Sequence, residues 1–428
     1  MTEDKIEQNA LEILHNIGWQ VFNGPEIGPD GSGERQYTDA ALNRRFIDAI
    51  GRLNPDIPQT ARDEAIKRVV RTAEPTLLLD NRDFHSLLVN GVDVEYRDEN
   101  GELRTNKVWL IDNNNPANNE FVAINQYTMI QGDFHRRPDV VLFVNGLPLA
   151  VIELKNPAEE KANLRAAHSQ LQTYKAEIPA FFRFNELLII SDGIDAEMGT
   201  LSSNYERFMP WKTIDGSKEH SGVPMLEVLL RGACDPMRLL DLVRSFVVFE
   251  RDEQNHSYIK KLAAYHQYWA VNKAIGRTVL ATTPNADHRV GVVWHTQGSG
   301  KSLSMVFYAG KLMVNEFLRN PTIVVITDRN DLDDQLFGTF SSCIDLLRET
   351  PQQANSRDNL QELLRREAGG IIFTTNAKFF PDDGTNDFPL LSDRSNIIVM
   401  ADEAHRSQYN FIDGFAKHIR QALPNASF

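Results

Sequence analysis

Two stretches of this sequence set acids and a lysine at spacings suited to chemistry on phosphate esters. In the first, Arg137-Pro138-Asp139 opens one apolar run and Glu153-Leu154-Lys155 closes the next. Carboxylates at the ends of such runs cost desolvation unless they coordinate something. Glu153 and Lys155, two residues apart on a strand, share a face. A carboxylate pair holding magnesium beside an ammonium suits metal-assisted phosphodiester hydrolysis. Asp139 and Glu153 are the expected metal ligands, and Lys155 positions the nucleophile or steadies the pentavalent charge. Strand register tests the idea. A two-residue turn at Asn145-Gly146 would set Asp139 opposite Ile152 and throw Glu153 onto the other face. The site therefore requires an odd-length connection or a bulge, and Pro148 near the turn favours an irregular ladder.

The second stretch runs from Gly291-Val292-Val293-Trp294 through His295-Thr296-Gln297 to Gly298-Ser299-Gly300-Lys301-Ser302. It reads as a strand, a glycine turn and a helix start. Backbone N–H groups of Gly298, Ser299 and Gly300 would close on phosphate oxygens at a positive helix end. Lys301 would reach the β- and γ-phosphates of ATP, and the Ser302 hydroxyl would ligate magnesium. The strict phosphate-loop pattern wants glycine where His295 stands; a shorter Gly-x-Gly-Lys-Ser form fits. Further on, the apolar run Ile397–Met400 leads to Asp402-Glu403-Ala404-His405. Asp402 is expected to hold the metal through water and Glu403 to polarise the attacking water. His405 is expected to sense the nucleotide or a neighbouring lobe.

These residues need elements to hold them. Apolar spacing predicts helices over 6–17, 38–53 and 60–72. From Thr76 to Leu154 the pattern predicts short strands at 87–89, 92–96, 108–111, 121–124, 140–144 and 149–154. Asn156-Pro157 is a suitable cap for a helix over 158–177, which carries Gln170 and Tyr174 one turn apart on one face. A strand at 187–191 and an apolar helix over 225–249 follow. The polar run at 251–255 is the expected boundary between a 1–250 domain and a 251–428 domain. Beyond it, strands at 291–294, 322–327, 370–374 and 396–401 alternate with helices, which implies a parallel sheet.

Composition narrows the setting. The 428 residues are 42% hydrophobic and 24% charged, which excludes a disordered or low-complexity chain. A formal net charge of -14 argues against wrapping by nucleic acid, so any such contact is local. Two cysteines, Cys234 and Cys343, are too few for a disulfide scaffold. With no apolar run long enough for a membrane span and no apolar leader at Met1–Lys5, a cytoplasmic protein without membrane contact is expected.

The order Pro-Asp, Glu-x-Lys, then Gln170-x-x-x-Tyr174 resembles the RecB-like branch of the PD-(D/E)xK nucleases. The resemblance implies that Gln170 and Tyr174 support the site or the DNA strand, and that Glu7 is an additional active-site acid. The second half resembles the first RecA-like lobe of a superfamily 2 helicase or translocase. There Gln267 looks like the adenine-reading glutamine, although by spacing alone it is equally an exposed helix residue. Residues 328–335 and 371–379 resemble loops that touch the sugar–phosphate backbone, through Thr374, Thr375 and Lys378.

Taken together, 137–157, 293–302, 402–408, Asn113-Asn114-Asn115-Pro116 and Asn125-Gln126-Tyr127 resemble the R (restriction and motor) subunit of type I restriction endonucleases. The implied fold is α/β, an N-terminal nuclease domain followed by a P-loop parallel-sheet lobe. The implied cofactors are ATP and magnesium. The implied partners are double-stranded DNA and the methyltransferase (M) and specificity (S) subunits. The family continues into a second lobe and a helical region beyond the motifs present here, so weak or no ATP–magnesium binding, and no translocation, is expected of this chain. Two alternatives stand beside this reading: a stand-alone helicase–nuclease of repair or phage defence, and a motor-inactive module that binds DNA or partners.

Overall fold

Periodicity of two in the first half builds a mixed seven-stranded sheet, and periodicity near 3.6 supplies the helices that cover it. The structure is a computed structural model. It describes residues 2–156, 163–252, 257–296, 298–327, 330–379, 388–402 and 415–428. Glu403 and His405 lie outside the described residues, as does Gln297 in the glycine turn. Two compact units are present: residues 1–247 with 258–265, and 248–257 with 266–428.

In the first unit the strands are β1 (Gln20–Asn23), β2 (Phe121–Asn125), β3 (Val140–Val144), β4 (Leu147–Leu154), β5 (Leu187–Ser191), β6 (Ala196–Gly199) and β7 (Met209–Pro210). They lie side by side in that order, parallel at β1–β2 and β4–β5 and antiparallel elsewhere. Strands β2 to β5 are almost wholly apolar and buried, as expected of strands covered on both faces. Helix α1 (Glu3–Asn16) packs on β1, β2 and β4. Helix α2 (Leu77–Asn90) follows, and helix α3 (Leu164–Glu177) packs on β4 and β5. Val141, Val151, Leu188 and Ile190 form one core with Leu171 and Tyr174 of α3.

Several expectations need correction. Residues 87–89 are not a strand but the end of α2, which the Thr76 side chain caps at Leu79 and Gly91 ends at φ 74°. The strand expected at 108–111 runs instead over Leu103–Val108, paired with Val92–Arg97. Helix α3 is capped by Asn163, whose side chain accepts from the Ala166 N–H, and not by Asn156. The long helix expected over 225–249 is two, α4 (Met225–Ala233) and α5 (Pro236–Ser245). Pro236 cannot continue α4, and Asp235 caps α5 by accepting from Arg238.

The second unit holds α6 (Tyr265–Ala281), α7 (Lys301–Met313), β8 (Thr322–Thr327), β9 (Gln352–Gln353), β10 (Ile371–Thr375) and β11 (Ile397–Ala401). Among the described residues its parallel sheet has four strands, in the order β9-β10-β8-β11. Ser427 adds a parallel bridge beside β11, and Phe428 exchanges backbone hydrogen bonds with His288 and Val290 on its other side. Residues 291–294, expected as a strand, form none; the Gly291 N–H reaches the Phe428 carbonyl at 3.5 Å. Val292 is consequently 85% and Trp294 90% exposed. Thr374 and Thr375, expected to meet a nucleic-acid backbone, are buried in the sheet, where Thr374 donates to the Thr375 carbonyl.

Candidate active site

A bulge decides where the two carboxylates go. Val144 faces Leu147 and Phe143 faces Pro148, but the register then shifts so that Leu142 faces Ala150 and Val140 faces Ile152. Continuing the ladder by one residue sets Asp139 across from Glu153, in the row that contains Val141 and Val151. The contact is direct: the Leu154 N–H donates to Asp139 Oδ2 at 2.7 Å. Lys155 Nζ donates to Glu153 Oε1 at 2.8 Å and to the Leu154 carbonyl at 2.9 Å.

Electrostatics marks the pair as unfinished without a cation. Burial pushes the Asp139 carboxyl up to about 6, opposed by the Leu154 N–H and Lys155 and reinforced by Glu3 and Glu7. Burial and the neighbouring Asp139 push Glu153 up to about 8 despite Lys155. Glu153 is 0% exposed, and its Oε2 is buried with no hydrogen-bond partner among the described residues. A buried, unpartnered carboxylate oxygen beside a second carboxylate is a donor set for a hard divalent cation. The residues present therefore fit magnesium.

Above the pair opens a cavity of about 590 Å³, lined by Glu3, Glu7, Gln126, Asp139, Gln170 and Tyr174 among others. Gln170 Nε2 donates to the Tyr174 hydroxyl at 2.5 Å, and burial beside Glu153 raises that phenol well above its ordinary value. Of the six residues of the first expected site, Asp139, Gln170, Tyr174 and Glu7 line this cavity; Glu153 is brought beside Asp139 by the strand register, and Lys155 is bonded to Glu153. The sequence reading gave no role to Asn125 or Gln126. Asn125 Nδ2 donates to Glu7 Oε1 at 2.7 Å, and Gln126 donates to Glu7 Oε2. Arg136, on the cavity wall, pairs with Glu177.

In the second unit, Gly298 and Gly300 adopt φ 81° and 83°, and Gly300 is the residue from which α7 starts at Lys301. Ser299 sits between two histidines: its hydroxyl meets His295 Nδ1 at 3.1 Å and its carbonyl meets His266 Nε2 at 3.3 Å. Ser302 is the second residue of α7. Lys301 Nζ pairs with Asp402 Oδ1 at 2.6 Å, so the lysine of the turn and the acid after β11 meet at one point. Two free-rotating glycines, a helix N-terminus, an ammonium and a carboxylate fit the triphosphate and its metal. Gln267 is buried, donating to the Gly300 carbonyl at 3.0 Å and to Ser304 Oγ at 3.2 Å. Its position depends on the glycine, since a Cβ at 300 would lie 2.7 Å from Gln267 Nε2. Gly300→Ala is therefore expected to cost about 1–2 kcal/mol from the left-handed backbone alone and to displace Gln267. Thermal melting and titration with a fluorescent ATP analogue check it; an unchanged melting temperature and affinity would contradict it.

The first unit thus gathers two carboxylates and a lysine, and the second a glycine turn, a lysine and an acid. Residues 1–207 match the family described as type I restriction enzyme R protein N terminus, and residues 266–428 match the SWI2/SNF2 ATPase family. The chain belongs to the type I restriction enzyme R subunits. It is 46% identical, over its whole length, to the type I restriction enzyme HindI endonuclease subunit of Haemophilus influenzae, covering 42% of that protein. It is 35% identical, again over its whole length and 42% of the relative, to the putative type I restriction enzyme MjaIXP endonuclease subunit of Methanocaldococcus jannaschii. A type I restriction enzyme subunit of Staphylococcus saprophyticus is 25% identical over 78% of this chain and 33% of its own length. The chain thus spans about two fifths of the length of these first two relatives. Among the described residues no helix is long and apolar enough to cross a membrane.

Proposed function

We propose that this chain carries the nuclease domain (1–250) and the first motor lobe (251–428) of an ATP-dependent type I restriction endonuclease. The enzyme cuts double-stranded DNA away from its recognition site, in the cytoplasm, with M and S subunits supplying methylation and specificity. The observation that carries this reading is the buried Asp139–Glu153 pair with Lys155 bonded to it and one carboxylate oxygen unpartnered.

Asp139 and Glu153 would hold magnesium, which when bound supplies a water of lowered pKa and charge neutralisation at the scissile phosphate. Asp139 is kept in place by the Leu154 N–H, so its free oxygen is the one left to face the cavity. Lys155, anchored on Glu153 and the Leu154 carbonyl, sets an ammonium where charge builds on the phosphate. Tyr174, tied by Gln170, lines the cavity beside Asp139. In the motor lobe, Gly298 to Ser302 would cradle the triphosphate, Ser302 and Asp402 would hold its magnesium, and Gln267 would meet adenine. Glu403 would activate water and His405 would sense the nucleotide or a neighbouring lobe.

Magnesium-dependent nicking of supercoiled DNA by the chain, alone and with its M and S partners, tests the proposal. Asp139→Ala and Lys155→Ala are expected to abolish it; undiminished nicking by either variant would overturn the assignment.

A further inference from the structure

Glu7 reaches the cavity wall but does not join the carboxylate pair. Among the described residues, no three acids, histidines or cysteines stand close enough to share one ion. Both Glu7 oxygens are instead taken by amide donors, Asn125 Nδ2 at 2.7 Å on Oε1 and Gln126 Nε2 on Oε2. These two amides come from consecutive residues at the end of β2, which ordinarily point to opposite faces. They converge because Gln126 leaves the strand, with φ 51°.

That conformation is uncommon for a residue with a long side chain and would suit glycine better. Its surroundings hold it in place. The Gln126 N–H donates to the Asp139 carbonyl at 2.8 Å, and the Tyr127 N–H donates to the Pro138 carbonyl at 3.3 Å. Gly24 lies so close that a Cβ there would come within 2.5 Å of the Gln126 carbonyl oxygen. One residue therefore grips the backbone of a metal-binding aspartate with its main chain and a cavity carboxylate with its side chain. Strained residues of this kind gather where a site needs a fixed geometry.

We infer that Gln126 is a positioning residue of the nuclease site: with Asn125 it fixes Glu7 outside the coordination sphere, where the carboxylate orients water on the metal held by Asp139 and Glu153. Glu7 then acts through hydrogen bonds to bound water, the role that partners beyond the direct ligands play at metal sites. The inference rests on the metal-nuclease reading above, and the test separates the two.

The measurement is Mn²⁺ affinity of the full chain by isothermal titration, alongside melting of the metal-free protein. Gln126→Gly removes the amide and relieves the backbone, so the fold is expected to melt at the same or a higher temperature. Manganese affinity is expected to fall roughly tenfold, at the lower end of what loss of an outer partner costs. Because Gln126 acts through Glu7, the double variant Glu7→Gln, Gln126→Gly is expected to bind no more weakly than Glu7→Gln alone. Wild-type affinity in Gln126→Gly, or additive losses in the double variant, would overturn the inference while Asp139→Ala still abolishes binding. Wild-type affinity in Asp139→Ala would overturn the metal reading itself, and the inference with it.

Discussion

Glu153→Gln is expected to make the metal-free protein more stable above about pH 8 while removing the nuclease. Glu153 is buried and pushed up to about 8, against about 4.3 in an unfolded chain. Between those values the folded state holds a proton that the unfolded state has lost, so stability falls as pH rises through the window. Below about pH 4 both states are protonated and the term vanishes. Asp139, pushed up to about 6, acts in the same direction over a narrower window. Each unit is worth roughly 1.4 kcal/mol, so a glutamine that never ionises recovers a few kcal/mol at pH 8. It still offers a carbonyl oxygen to Lys155 Nζ. Urea unfolding of both proteins at pH 4 and pH 8.5 in EDTA reads the effect; equal differences at the two pH values would refute it.

The same variant loses one of the two carboxylates proposed to hold the metal. Cleavage should fall by more than the roughly 10–100-fold that a change outside the coordination sphere produces. Magnesium should stabilise wild type and leave Glu153→Gln unmoved, because a ligand stabilises only the state that binds it. A stability gain joined to an activity loss distinguishes a site held under electrostatic tension from a structural ion pair. In a structural pair, removing one partner destabilises.

How far the sequence disclosed this site depended on whether a feature is local. The apolar runs at 140–144 and 149–154 are recognisable as buried strands from composition alone, and the need for a bulge follows from counting residues across the Asn145-Gly146 turn. The bulge falls at Leu149, beside Pro148, where proline has already weakened the ladder. Gln126 showed only inside Asn125-Gln126-Tyr127, a stretch resembling the family; its role stayed hidden because it comes from a left-handed backbone and from a partner in α1 more than a hundred residues away. Strand propensity misled at 87–89: Leu-Leu-Val suits either state, Asn90-Gly91 reads as a strand turn as readily as a helix end, and Thr76, which caps α2, lies well upstream of the short run. Burial of Thr374 and Thr375 was hidden for a similar reason, since a threonine pair reads the same whether its strand lies at a rim or inside a sheet.

The motor lobe yields the second large effect. Lys301 Nζ lies 2.6 Å from Asp402 Oδ1, with the lysine 40% and the aspartate 13% exposed, so the two charges meet where nucleotide and metal would sit. Phosphate must draw Lys301 away from this carboxylate. Magnesium would then give Asp402 a new partner, so the metal's role includes releasing the lysine. Two opposite outcomes follow. Lys301→Ala removes a charge-assisted phosphate contact worth about 1.5–3 kcal/mol, and ATP affinity should drop roughly 10–100-fold with or without magnesium. Asp402→Asn should instead bind ATP more tightly than wild type in EDTA, because the ammonium no longer has this carboxylate to leave, and should gain little when magnesium is added. A half-exposed ion pair contributes at most about 1 kcal/mol to folding, so neither change should lower the melting temperature by much. Titration of both variants with a fluorescent ATP analogue, in EDTA and in magnesium, decides it. If Asp402→Asn loses affinity in EDTA, the aspartate does not restrain the lysine and the pairing has no part in nucleotide binding.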